Sequence, residues 1–167
     1  MQMQDTGKPR ETKLKENPYM DMRNLAISAK PDQLKLNLDN NTTTVYGVVM
    51  DYDMGAAVVT VSAFQTGDAS LYLSTGQIFI GGYSHENIKQ AGLAFVKEAQ
   101  NYLPKSKLSE STPLPDKDCI RFYLLTNKGI FFYQETVTNI KNEGSDWTKL
   151  FYLANNVITQ YRMIDQN

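Results

Sequence analysis

The chain is poor in the residues that most often do chemistry. Its 167 residues include one cysteine, one histidine and one tryptophan. A single cysteine forms no intrachain disulfide, and one cysteine with one histidine cannot complete a Cys/His zinc site. An excess of either charge is missing too, since 17 Lys and Arg face 18 Asp and Glu, a formal net charge of −1. A general nucleic-acid binder needs a cationic surface against phosphates, so nucleic acid is not an expected partner. Long hydrophobic runs are also absent. Runs such as Ala56-Ala57-Val58-Val59 and Ile78-Phe79-Ile80 are strand-sized, far from the roughly 20 apolar residues that span a bilayer. The opening stretch MQMQDTGKPRETKLKEN is polar and lacks a signal peptide's apolar core. A soluble, cytoplasmic protein with no membrane partner is expected.

What is present reads as one domain, the usual size being about 100–150 residues. Residues 1–16 are polar or charged and expected to be flexible, and 17–167 form the domain. Asn17-Pro18 opens a helix, with Asn as a good N-cap and Pro suited to the first helical position. Met22, Leu25, Ala26 and Ala29 follow at helical spacing, and Lys30-Pro31 ends the helix. Leu34, Leu36 and Leu38 alternate with polar residues, as in a short strand or extended segment.

From Thr42 the character changes. Residues 43–51 and 56–64 are β-branched and aromatic, with Gly55 in the turn between them, a hairpin signal. Strands over 69–73 and 77–80 follow, and connections this short force antiparallel pairing. A helix over 85–103 carries Ile88, Ala91, Phe95, Ala99 and Tyr102 on one stripe, with Ser84 as its expected N-cap. Residues 105–118 read as a surface loop. A second hairpin spans 119–126 and 130–136. A final helix, capped by Ser145 or Asp146, aligns Trp147, Leu150, Phe151, Ala154, Val157, Ile158 and Tyr161.

The expected fold is α+β: a mainly antiparallel sheet, made of a meander plus a C-terminal hairpin, with helices packed against one face. The element order is α-β-β-β-β-α-β-β-α. That order resembles roadblock and longin-type modules, by order alone.

The densest polar segment is GDASLYLSTGQIFIGGYSHE, residues 67–86. Its candidate ligand-binding residues are Asp68, Ser70, Tyr72, Ser74, Gly81, Gly82, Ser84 and His85. Gly81-Gly82 would let backbone approach a ligand, and the following helix start would receive an anion. Asp68, Ser70, Tyr72 and Ser74 would line the adjoining surface, because alternate strand positions share a face. The competing reading makes the glycines turn residues and Ser84 a cap. No Walker-type Lys-Ser/Thr follows the glycines. His85, the one imidazole, would need Ser70 or Ser74 as nucleophile and Asp68 as orienting carboxylate, yet no G-x-S-x-G elbow is present.

Other constellations are weaker. Asp51 and Asp53 sit at alternate positions, as a pair holding a hard cation would, but the further oxygen ligands are missing. A hairpin corner is the simpler role. Cys119 opens an apolar strand and reads as a small hydrophobe. Phe122-Tyr123 and Phe131-Phe132-Tyr133 would stack bases in a single-strand binder, but facing aromatics across a hairpin ordinarily stabilise a sheet.

The stretches VYGVVMD (45–51), GDASLYLSTG (67–76), IGGYSHE (80–86), RFYLLTNKG (121–129) and NNVITQYR (155–162) together resemble a bacterial protein family of unknown function, over nearly all of residues 17–164. The resemblance implies no activity. A richer glycine run is expected where Thr75-Gly76-Gln77 stands, which argues against a ligand-cradling loop there. With ten tyrosines offering amphipathic surface, the expected function is a small non-enzymatic protein-interaction or regulatory domain. Its partner would be another protein or a second copy of the chain. The alternative is a small-ligand-binding or hydrolytic domain with its site in 67–86. Neither a cofactor nor a metal is expected.

Overall fold

Short connections decide the sheet, because a turn of a few residues joins only antiparallel neighbours. The computed structural model describes residues 16–165, so the segment expected to be flexible lies, Glu16 apart, outside the described residues. Strands β1 (Val45–Asp53), β2 (Val58–Phe64), β3 (Ala69–Leu73) and β4 (Ile78–Phe79) form the meander. The segment expected as a surface loop holds a short strand, β5 (Lys107–Ser109), ahead of the hairpin β6 (Cys119–Thr126) and β7 (Gly129–Thr136). All seven strands make one antiparallel sheet in the order β4-β3-β2-β1-β6-β7-β5. The fold is α+β, as expected.

Four helices complete it: α1 (Tyr19–Ser28), α2 (Glu86–Ala99), α3 (Val137–Lys141) and α4 (Thr148–Asp165). They do not share one face. Helices α2 and α4 cover one side through Ile88, Phe95, Leu150, Phe151 and Val157, packed on Val48, Met50, Val61 and Leu71. Helix α1 covers the other side, where Tyr19, Ala26 and Ile27 meet Tyr46, Val49, Phe64 and Tyr123. The expectation of helices on one face is thus corrected. Its physical reason is visible in β1, where eight of nine residues are buried, as befits a strand covered on both sides. A register shift between Val45 and Gly47 re-aims β1 there, placing Tyr46 under α1 and Val48 under α2.

Local sequence accounts for most boundaries. Asn17 Oδ1 accepts from the Tyr19 N–H at 2.9 Å, and Tyr46 Oη donates to the Ala29 carbonyl at 2.6 Å beyond the other end of α1. The buried stripe of α1 is Tyr19, Arg23, Ala26 and Ile27, whereas Leu25, expected inside, is 65% exposed. Leu34, Leu36 and Leu38 form no strand but lie half-buried against the α1 side. Helix α2 ends at Ala99 and continues as a 3₁₀ turn over Gln100–Lys105. Ser145 Oγ accepts from the Trp147 N–H at 3.0 Å just ahead of α4. Every residue of the expected α4 stripe is buried or packed on the core.

Helix α3 was not expected. Its signal is Thr136, which both closes β7 and caps the helix, its Oγ1 accepting from the Asn139 N–H at 3.2 Å.

Candidate functional site

The expected site does not assemble. Ser70 and Tyr72 are buried in β3, and Tyr72 packs on the α1 side of the sheet. Ser74 Oγ accepts from the Val58 N–H at 2.8 Å, a strand-end contact. His85 is exposed at the position before α2 and gives no side-chain cap. Ser84 is not the cap either, since its Oγ turns back to donate to the Gly81 carbonyl at 2.8 Å. Among the described residues, no hydrogen bond joins the His85 side chain to a serine.

Gly81 and Gly82 have different duties. Gly81 sits at φ +80° over open space, as a turn glycine should. Gly82 is buried, and a Cβ there would lie 2.7 Å from both Tyr161 Oη and the Ala69 carbonyl. The close backbone approach that glycine allows is therefore taken up by the chain's own Tyr161. Its phenol donates to the Ala69 carbonyl at 2.6 Å. Burial, reinforced by the Asp68 carboxylate, raises the Tyr161 pKa. Asp68 itself is half-buried with Oδ1 unpartnered among the described residues, and burial raises its pKa.

The aspartate pair also separates. Asp53 accepts from the N–H groups of Gly55 at 2.9 Å and Asp118 at 2.8 Å. Those bonds lower its pKa, and it acts as the hairpin corner. Asp51 is buried beside an arginine that reading for apolar periodicity passed over. Arg23 Nη2 lies 2.7 Å from Asp51 Oδ2, and both side chains are sealed from water. Thr60 Oγ1 donates to Asp51 Oδ1 at 2.6 Å and shares a hydrogen bond with Tyr19 Oη, also at 2.6 Å. Arg23 Nη2 reaches the carbonyls of Thr112 and Pro113 at 3.0 and 3.2 Å. This network pins α1 and the 112–113 loop to the centre of the sheet. Among the described residues, no group of three or more His, Cys, Asp or Glu could hold a metal, and Asp51 is already paired.

Cys119 is half-buried among Asp116, Asp118, Asp53 and Glu135, and burial together with these carboxylates raises the thiol's pKa. Such a thiol is a poor nucleophile. The hairpin aromatics face across the strands, Phe122 opposite Tyr133 and Tyr123 opposite Phe132. Tyr133 also stacks on Trp147 at 4.5 Å, while Arg121 lies over Phe132 at 4.3 Å.

What the fold does assemble is a cleft of about 540 Å³ between α4 and the β1–β4 end of the sheet. Its floor is Val59, Leu71, Leu73 and Phe79, and none of the eight expected site residues lines it. The wall is one stripe of α4, Phe151, Asn155, Ile158, Thr159 and Arg162, at spacings that repeat on a helix face. Phe151 anchors one end, edge-on to Tyr52 at 5.5 Å, and Tyr161 meets Phe79 at 6.0 Å towards the other. Lys141, at the end of α3, holds its Nζ 5.4 Å from the Tyr52 ring centre. The cleft stays open beside β4 because that strand has only two residues and forms the edge of the sheet.

Comparison with protein-family models, curated proteins and solved structures found no match to this chain. Among the described residues, no helix is long and apolar enough to cross a membrane.

Proposed function

We propose that this protein binds a small molecule in the cleft between α4 and the β1–β4 end of the sheet. The observation that carries the reading is the cleft's make-up. A volume of about 540 Å³ falls inside the roughly 300–1,000 Å³ of ordinary ligand sites. Aliphatic and aromatic side chains form its floor, and a few polar groups, Gln77, Asn155 and Thr159, stand among its lining residues. That combination buries an apolar body and orients it by a small number of hydrogen bonds. The reading keeps ligand binding but moves it from the 67–86 polar residues to their apolar neighbours Leu71, Leu73 and Phe79.

Protein docking is the second reading. Ile80 and Tyr83, 61% and 63% exposed, flank the edge strand β4. A two-residue strand, however, offers little backbone for another chain to pair with. The cleft is the stronger feature.

Fragment screening by NMR tests the proposal. Binders should shift the methyl signals of Leu71 and Ile158, and Thr159→Trp, which places an indole at the wall, should weaken them. If no fragment shifts those signals, or if Thr159→Trp leaves binding intact, the proposal fails.

A further inference from the structure

The cleft has a charge bias that its apolar floor does not require. Among the described residues lining it, Lys141 and Arg162 are cationic and none is acidic. The bias is local, because the chain as a whole carries a net charge of −1. The two cations come from different elements. Lys141 is placed at one end by the turn after α3 and by its seat over the Tyr52 ring. Arg162 is carried by the last turns of α4. From Phe151 to Arg162 the helix advances about 16 Å at 1.5 Å per residue, so the wall is long as well as apolar. Asn155, Thr159 and Arg162 recur along it at helical spacing, a polar rail above an apolar floor.

Resting on the binding reading above, we infer that the ligand is an elongated amphipathic anion. Its apolar body lies along α4 over Leu71, Leu73 and Phe79, its anionic head is held by Arg162 at one end of the cleft, and Lys141 at the other end adds to the positive potential. Arg162 offers a planar fork that matches carboxylate or phosphate, and Lys141 a point charge. The neutral donors Gln77, Asn155 and Thr159 add hydrogen bonds without adding positive charge. A cationic amphiphile meets two like charges, and an uncharged one leaves both cations unused.

Decanoate, decanol and decylamine separate the possibilities by titration calorimetry and NMR on the full chain. Decanoate should bind more tightly than decanol by about fivefold, a modest factor because both cations are exposed and screened. The preference should shrink at high salt. In the Lys141→Met/Arg162→Met variant the preference should vanish while decanol affinity holds, with circular dichroism confirming the fold. Decyl phosphate in place of decanoate reports whether the head is a carboxylate or a phosphate, and tight binding of either one supports the inference. Equal binding of decanoate and decanol, or tighter binding of decylamine, overturns the inference and leaves the binding reading standing. If none of these probes, nor any fragment, shifts Leu71 or Ile158, the binding reading falls instead.

Discussion

Gly82 is a glycine because of Tyr161. A Cβ on Gly82 would lie 2.7 Å from Tyr161 Oη and 2.4 Å from Ile88 Cγ2. Of the paired glycines that look like a ligand cradle, Gly82 is thus a packing device joining the last turns of α4 to the start of β3, and Gly81 is a turn residue. Gly82→Ala should therefore cost about 3 kcal/mol in urea unfolding, since neither backbone nor a hydrogen-bonded phenol yields cheaply. Gly81→Ala meets no atom within 4 Å at φ +80°, and should cost about 1 kcal/mol through backbone strain alone. Tyr161→Phe leaves the Ala69 carbonyl short of a donor and should cost about 1–2 kcal/mol. In that background Gly82→Ala should be less damaging, a coupling that a double-mutant cycle measures.

The Arg23–Asp51 pair predicts an asymmetry. Arg23→Met or Asp51→Leu alone strands a buried charge and should cost about 3–5 kcal/mol in guanidinium unfolding. The double replacement removes both charges and should recover most of that loss. Leu25→Lys, on the exposed flank of α1, should stay within about 0.5 kcal/mol of the parent. A severe Leu25→Lys, or an additive double variant, would contradict this account of what holds α1.

That asymmetry also shows what the sequence could and could not tell. Strand positions were legible because Val45–Phe64 is β-branched and aromatic and turns tightly at Gly55, and α4 because its stripe is unbroken. The side of the sheet that α1 covers was not, because its buried stripe contains an arginine. Apolar periodicity scores Arg23 as solvent-facing, and only Asp51, 28 positions away, makes it a core residue. The cleft was illegible for a related reason. Its floor residues, Val59, Leu71, Leu73 and Phe79, read as core in the sequence, and the gap beside them lies where two-residue β4 forms the sheet edge next to α4. The polar 67–86 cluster is spread over turns and strand ends, where Ser74 and Ser84 are satisfied locally.

Tyrosine ionisation offers a third check. Burial and the hydrogen bond to Glu135 push Tyr133 from 10.0 up to about 12. Burial, then the Asp51 carboxylate, takes Tyr19 to about 12 as well. Raised folded-state values mean that the stability these groups contribute is whole below the unfolded value of about 10. It falls as pH rises towards 12. Ultraviolet titration should show a late-ionising class of tyrosines, and thermal melts should weaken over the same interval. The Tyr133→Phe variant should lose less stability across that interval than the parent. A tyrosine population that ionises uniformly near 10 would be inconsistent with these buried phenols.

Asp68 carries the last prediction. Burial raises its pKa above 3.8, and its Oδ1 has no partner among the described residues. A raised folded-state value means that its favourable contribution is complete below the unfolded pKa and is lost as pH rises through the folded one. At neutral pH the carboxylate is therefore a burden on the fold. Asp68→Asn removes the buried charge while keeping nearly the same shape. It should stabilise the protein by up to about 1 kcal/mol at pH near 7, and the gain should disappear at pH near 3, where the parent's Asp68 is protonated in both states. Thermal melts of the two proteins at the two pH values decide it. A gain that persists in acid would show that shape, not charge, governs this position.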